Sequence, residues 1–212
     1  MGLRTLTEAL RLCVVSAGAA DLGREPEDVL EVALASGATS VRLFLPGVLT
    51  VGVVSRGAAL VERARDRRVW LFVEDDAPAA MALGADGLHL SGFGSAERAA
   101  FQAPGSRSVV GVTVSTISEA FRAAGEGVDY LEVGPVFSGP EPVGLEGLTA
   151  ICASVDQPVV AAGGMAPLLA ADAIRAGAVG IVVGDEVARA EDMEEACLRL
   201  RAAVEQALTL RV

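Results

Sequence analysis

Gly84-Ala85-Asp86-Gly87, Gly127-Val128-Asp129-Tyr130 and Gly177-Ala178-Val179-Gly180 are three versions of one phrase. Each closes an alanine-rich helical stretch and opens a short apolar run. A glycine there stops the helix, because the C′ position takes a left-handed backbone that suits a residue without a Cβ. Gly37 stands at the same point of an earlier stretch. A recurring helix stop, turn and strand start is what a repeated strand–helix unit leaves in a sequence.

Outward from these phrases, strands are expected near Leu12–Ser16, Ser40–Leu45, Val69–Glu74, Gly87–Leu90, Val109–Val114, Tyr130–Val136, Pro158–Ala162 and Gly180–Gly184. Helical patterns fall between them, among them Glu27–Ala35, Ala58–Ala64, Ser118–Ala124, Leu168–Ala176 and Met193–Ala207, with a short one at Ser95–Phe101. The strand runs are apolar throughout rather than alternating, as in parallel strands covered on both faces. Eight such units in 212 residues predict a closed (β/α)8 TIM barrel, α/β in class, as a single domain over residues 1–212. An open doubly wound sheet is the rival. Its glycine fingerprint should follow the first strand, but Ser16-Ala17-Gly18-Ala19-Ala20-Asp21-Leu22-Gly23 contains no such motif. The segment Phe137–Gly144, with two prolines and two glycines, reads as an active-site loop.

Composition narrows the function. Apolar residues make up 52% of the chain, which excludes a disordered segment. Seventeen basic against 28 acidic side chains give a net charge of -11, the wrong sign for a nucleic-acid protein built on a basic stripe. Every basic residue is arginine, so Schiff-base and P-loop lysine chemistry are both excluded. No apolar run reaches the ~18 residues of a membrane span. Cys13, Cys152 and Cys197 show no metal spacing and read as reduced, buried thiols, and a cytoplasmic location is expected. A small-molecule ligand is the expected partner, and a second copy of the chain could cover the apolar exterior.

In a barrel, chemistry collects at the C-terminal ends of the strands. Gly163-Gly164 after the seventh strand and Gly184-Asp185 after the eighth could let backbone N–H groups approach a phosphate, or could simply serve tight turns. Asp185 would repel an anion there. Glu74-Asp75-Asp76 could hold Mg²⁺ through one or two carboxylates, or Asp76 could cap the helix that continues as Ala77-Pro78. His89, the only histidine, is either a hydrogen-bonded core residue or a catalyst. Arg42 and Glu132 interrupt apolar strands, and if both face inward they should pair, since an unpaired buried charge is very costly. That pair is either structural or an anchor for an anion or amidine. Trp70 and Tyr130 read as packing residues.

Several phrases follow one another in a familiar order: Ala85-Asp86-Gly87-Leu88-His89-Leu90, Val110-Gly111-Val112-Thr113, Val128-Asp129-Tyr130-Leu131-Glu132-Val133-Gly134-Pro135-Val136-Phe137, Gly144-Leu145-Glu146-Gly147-Leu148 and Pro158-Val159-Val160-Ala161-Ala162-Gly163-Gly164-Met165. Together they resemble the thiamine phosphate synthase and thiazole tautomerase superfamily. The resemblance implies a (β/α)8 barrel of the synthase type. Such an enzyme joins an aminopyrimidine pyrophosphate to a thiazole phosphate, and Mg²⁺ and basic residues neutralise the departing pyrophosphate. It also implies Asp75 as a metal ligand, His89 and Thr113 as catalytic or substrate contacts, and Gly163 and Gly164 around a ligand phosphate. Gly134 and Gly184 are expected beside that phosphate, and Arg42 is expected as a further catalytic or substrate contact.

The same resemblance marks departures. Where the family has Gln-Leu-Arg-x-Lys, this chain has Arg42-Leu43-Phe44-Leu45-Pro46. Glu74 replaces an asparagine, Ser91-Gly92-Phe93-Gly94 lacks the second metal carboxylate, Ser138-Gly139-Pro140-Glu141-Pro142 lacks the loop lysine, and Asp185 replaces a serine. The tautomerase histidine corresponds to Ser115. Two expectations follow. One is a synthase-like barrel binding a small phosphorylated or heterocyclic ligand, with several catalytic groups missing. The other is an inactive paralogue that serves as a ligand-binding or scaffold protein.

Overall fold

The structure, a computed structural model, describes residues 5–45, 51–93 and 109–211, without the side chains of Val51 and Val53. Eight parallel strands, β1 Leu12–Val15, β2 Ser40–Leu43, β3 Trp70–Glu74, β4 Gly87–Leu90, β5 Val109–Val114, β6 Tyr130–Val133, β7 Val159–Ala162 and β8 Gly180–Val183, pair in chain order. The pairing of β1 with β8, Leu12 opposite Ile181, closes the barrel and excludes the open sheet. A short α1 (Leu6–Ala9) precedes β1. The later helices are α2 Pro26–Ala35, α3 Val51–Asp66, α4 Ala77–Leu83, α5 Ile117–Gly125, α6 Gly144–Ser154, α7 Pro167–Arg175, α8 Asp185–Ala188 and α9 Met193–Leu210.

The repeated phrases do one job at the strand starts. In Gly84-Ala85-Asp86, the aspartate accepts the Leu71 N–H of the preceding strand at 2.9 Å. In Gly127-Val128-Asp129, the aspartate accepts the Val110 N–H at 2.8 Å. Thr39 serves β1 in the same way, its hydroxyl accepting the Leu12 N–H at 2.8 Å. The phrase ending in Val179 has no side-chain acceptor, and there the Val179 N–H donates to the Val159 carbonyl at 2.8 Å. The helix-stopping glycines of all four, Gly37, Gly84, Gly127 and Gly177, have positive φ.

Apolar side chains form two shells. One fills the space between strands and helices, with Leu30, Val41, Leu60, Leu71, Leu88 and Leu131 fully buried. The other lies inside the barrel around Cys13, Val15, Phe72, Tyr130, Val160 and Val182. With few aromatics, two rings carry much of the inner volume, and glycines make room for them. A Cβ on Gly111 would stand 2.1 Å from the Tyr130 ring, and one on Gly87 would stand 2.4 Å from Phe72. The Phe72 and Tyr130 rings meet edge to face at 5.7 Å.

Element ends differ from expectation in places. β6 stops at Val133 rather than Val136, because Pro135 has no N–H for the ladder. β7 begins after Pro158 for the same reason, and β2 stops at Leu43. Helix α3 starts at Val51, well before the expected Ala58, since the low helix propensity of valine is only a weak prior. The helix expected at Ser95–Phe101 lies outside the described residues.

Candidate functional site

Arg42 sits at the centre of the strand ends and is 3% exposed. Its Nη2 donates to Glu132 Oε2 at 2.6 Å, so the inward pairing expected of these two residues is present. Arg42 Nε stands 3.5 Å from Glu74 Oε2, and these two buried atoms lack a hydrogen bond. Burial works against the charged guanidinium, but Glu132 and Glu74 outweigh it and raise its pKa. Arg42 therefore stays charged, and two carboxylates share that charge. Burial raises the Glu74 pKa, Glu132 and Asp75 add to the effect, and Arg42 offsets part of it.

His89 lies beside this group and is fully enclosed, at 1% exposure. Tyr130 Oη meets Nδ1 at 2.9 Å and Thr113 Oγ1 meets Nε2 at 2.9 Å. Burial first, then the Arg42 charge, lowers its pKa well below the ordinary 6.5, so the imidazole is neutral. A neutral ring can donate from one nitrogen and accept on the other, which matches two hydroxyl partners. Period-two alternation puts Tyr130 and Glu132 on the same inner face of β6. Cys13, beneath Arg42, is pushed up to about 11 chiefly by burial and is no nucleophile at neutral pH.

On the β3–β4 side the three acidic residues part company. Glu74 turns to Arg42. Asp76 caps α4, accepting the Ala79 N–H at 2.8 Å. Asp75 is exposed, with φ +52°, and its two oxygens accept the Ser91 N–H at 2.8 Å and the Ser91 hydroxyl at 2.5 Å. Mg²⁺ needs near-octahedral oxygen donors. Among the described residues, a single carboxylate already engaged by Ser91 does not make a resident Mg²⁺ site, and no cluster of three acidic, histidine or cysteine side chains is present.

On the β7–β8 side the diglycine turn is packed from above by the loop after β6. A Cβ on Gly163 would stand 2.8 Å from Pro135, and one on Gly164 would stand 3.1 Å from Phe137. A Cβ on Gly134 would stand 3.3 Å from Ala162. Asp185 is exposed and pairs with Arg189 at 3.0 Å. Glu186, one residue further on, turns back instead. Its Oε1 accepts the Met165 N–H at 2.9 Å and its Oε2 accepts the Gly184 N–H at 3.1 Å. A cavity of about 1020 Å³, lined in part by Met165, Glu186, Met193 and Leu200, opens beside this contact rather than over Arg42.

The family model for thiamine monophosphate synthase matches residues 12–187. The chain belongs to the thiamine monophosphate synthase family. It is 36% identical over 200 residues to the thiamine-phosphate synthase of Chloroflexus aurantiacus, covering 92% of each chain. It is 37% identical over 191 residues to that of Moorella thermoacetica, covering 87% of this chain and 91% of the relative. The solved thiamine phosphate pyrophosphorylase of Pyrococcus furiosus superposes with a TM-score of 0.88 at 33% identity, over 96% of this chain and all of that one.

Within this synthase-family barrel, Arg42, His89 and Thr113 come together, joined by Glu74 and Glu132. Asp75 lies on the β3–β4 side, held by Ser91, while Gly163, Gly164 and Gly184 follow β7 and β8 on the opposite rim and Gly134 follows β6. Three participants escape a reading of the sequence. Tyr130 reads as packing, yet its hydroxyl holds His89. Its place two residues before Glu132 was the available signal. Ser91 and Glu186 carry no comparable signal, since each acts through a turn whose shape only the folded chain sets. No described helix is long and apolar enough to cross a membrane.

Proposed function

We propose that this chain is a synthase-type barrel that binds a small heterocyclic ligand over Arg42, Glu74, His89 and Thr113 and releases pyrophosphate far more slowly than a fully equipped synthase. The observation that carries this reading is the pairing of Arg42. It is the only arginine on the eight strands, and Glu132 and Glu74 already hold it below the mouth. Pyrophosphate departure needs positive charge or donors aimed at the developing anion. A buried cation that is shared by two carboxylates is poorly placed to supply it.

The same groups suit a neutral or weakly basic ring. Glu74, whose side chain is 16% exposed, offers an acceptor for an amino group. Thr113 is half-buried, and its hydroxyl, set by His89, offers a second polar contact. Asp75 would meet Mg²⁺ only together with a ligand that brings its own oxygen donors, as Mg²⁺ sites commonly do.

The test is pyrophosphate release from an aminopyrimidine pyrophosphate plus a thiazole phosphate, with and without Mg²⁺, alongside calorimetric binding of the aminopyrimidine alone. The expected result is measurable binding, weakened in Thr113→Val, with release slower by about 10²-fold or more for each lost donor. Rapid Mg²⁺-dependent release with thiamine phosphate as product would overturn the reading. Binding with no turnover at all would favour the scaffold paralogue.

A further inference from the structure

We infer that Glu186 is a specificity residue: its carboxylate fills the anion cradle between the ends of β7 and β8, so the chain selects ligands that carry no phosphate at that end. The inference deepens the function proposed above and rests on its placement of the ligand at the strand ends. Barrels of this class frequently bind phosphate through the loops after their last two strands. Here one N–H from each of those loops, Met165 and Gly184, points at a common spot, and an anion already lies there. Glu186 Oε1 takes the first at 2.9 Å and Oε2 takes the second at 3.1 Å. A carboxylate bridging two amides presents the same two-oxygen face that a phosphate would present.

Displacing it would be unfavourable for two reasons. The carboxylate is tethered two residues from Gly184, so it competes at high effective concentration. Once expelled, it would add to the nearby charge of Asp185, which pairs with Arg189 at the exposed surface. The diglycine turn has its own reason for its glycines, since Pro135 packs against Gly163 and Phe137 against Gly164. Its composition therefore needs no phosphate to explain it.

Titration of the full chain with inorganic phosphate, followed by the backbone amide resonances of Met165 and Gly184, tests this. In the native chain both amides should stay still. In Glu186→Ala they should shift together and saturate, with affinity at least about tenfold tighter than in the native chain. Glu186→Gln provides a second variant that keeps one acceptor and folds if the alanine variant does not. Native amides that shift as readily as those of the variants would overturn the inference, as would variant amides that do not move. Turnover plays no part in this readout, so its failure is separate from any failure of the slow-release reading.

Discussion

Asp86, Asp129 and Thr39 each accept one amide from the preceding strand, so the strand starts solve one problem in one way. At the strand ends Arg42, His89, Asp75 and Glu186 each make a different contact, with different partners. The first set closes a barrel and is indifferent to what the barrel does. The second set lies at the face where the proposed ligand would bind. The lesson is that fold and function are written at opposite ends of the same strands, in residue types that overlap. An aspartate after a glycine is a ladder cap at one end, and an aspartate after a strand is a rim carboxylate at the other.

Removing the central charge should widen this contrast most. Arg42→Ala leaves Glu132 buried without its cation, and the expected loss of stability is about 3–5 kcal/mol in urea unfolding. Arg42→Met combined with Glu132→Leu should recover most of that loss. A double variant as unstable as the single one would mean that the pair is not what holds this region. Strand starts should respond less. Asp129→Ala strands the buried Val110 amide at an expected cost of about 1–3 kcal/mol, and Asp86→Ala should behave alike at Leu71. Clearly unequal values would break the claim that the repeated phrase does one job.

The smallest signal is one that should not move. Folded His89 is held neutral, with its pKa well below 6.5, by burial and then by Arg42. The unfolded chain takes up a proton below about 6.5, so it binds more protons there than the folded chain. Stability should accordingly fall as the pH drops below that point and level off above it. Because the chain has one histidine, its ring proton resonance can be followed alone. It should stay constant from about pH 8 to about pH 6. A titration centred near the ordinary value would place the ring in solvent rather than between Tyr130 and Thr113.

Closure was legible because it is periodic. Short apolar runs alternate with helical stretches and predict the eight parallel strands, and Gly84, Gly127 and Gly177 recur at helix ends in support. Arg42 and Glu132 could be paired from sequence because a charge in an apolar strand has few alternatives. The division of labour among Glu74, Asp75 and Asp76 could not be read. Adjacent residues at a strand end leave in different directions, and only Asp75 takes the positive-φ backbone that turns its side chain to Ser91. Glu186 was hidden for a related reason. Its partner Met165 lies 21 positions away in the chain, across a complete strand–helix unit.

The interlock of Gly111 with the Tyr130 ring also sets a direction for the history of this barrel. With 2.1 Å between that ring and any Cβ at position 111, a larger residue there is blocked for as long as the tyrosine is in place. Shrinking Tyr130 first is permitted sterically, but it releases His89 from one of its two hydroxyl partners. A lineage that acquired the tyrosine therefore cannot enlarge position 111 without first giving up one of the two contacts that orient its only histidine. The order of mutational steps is constrained at this position, and the constraint links the packed interior to the rim above it.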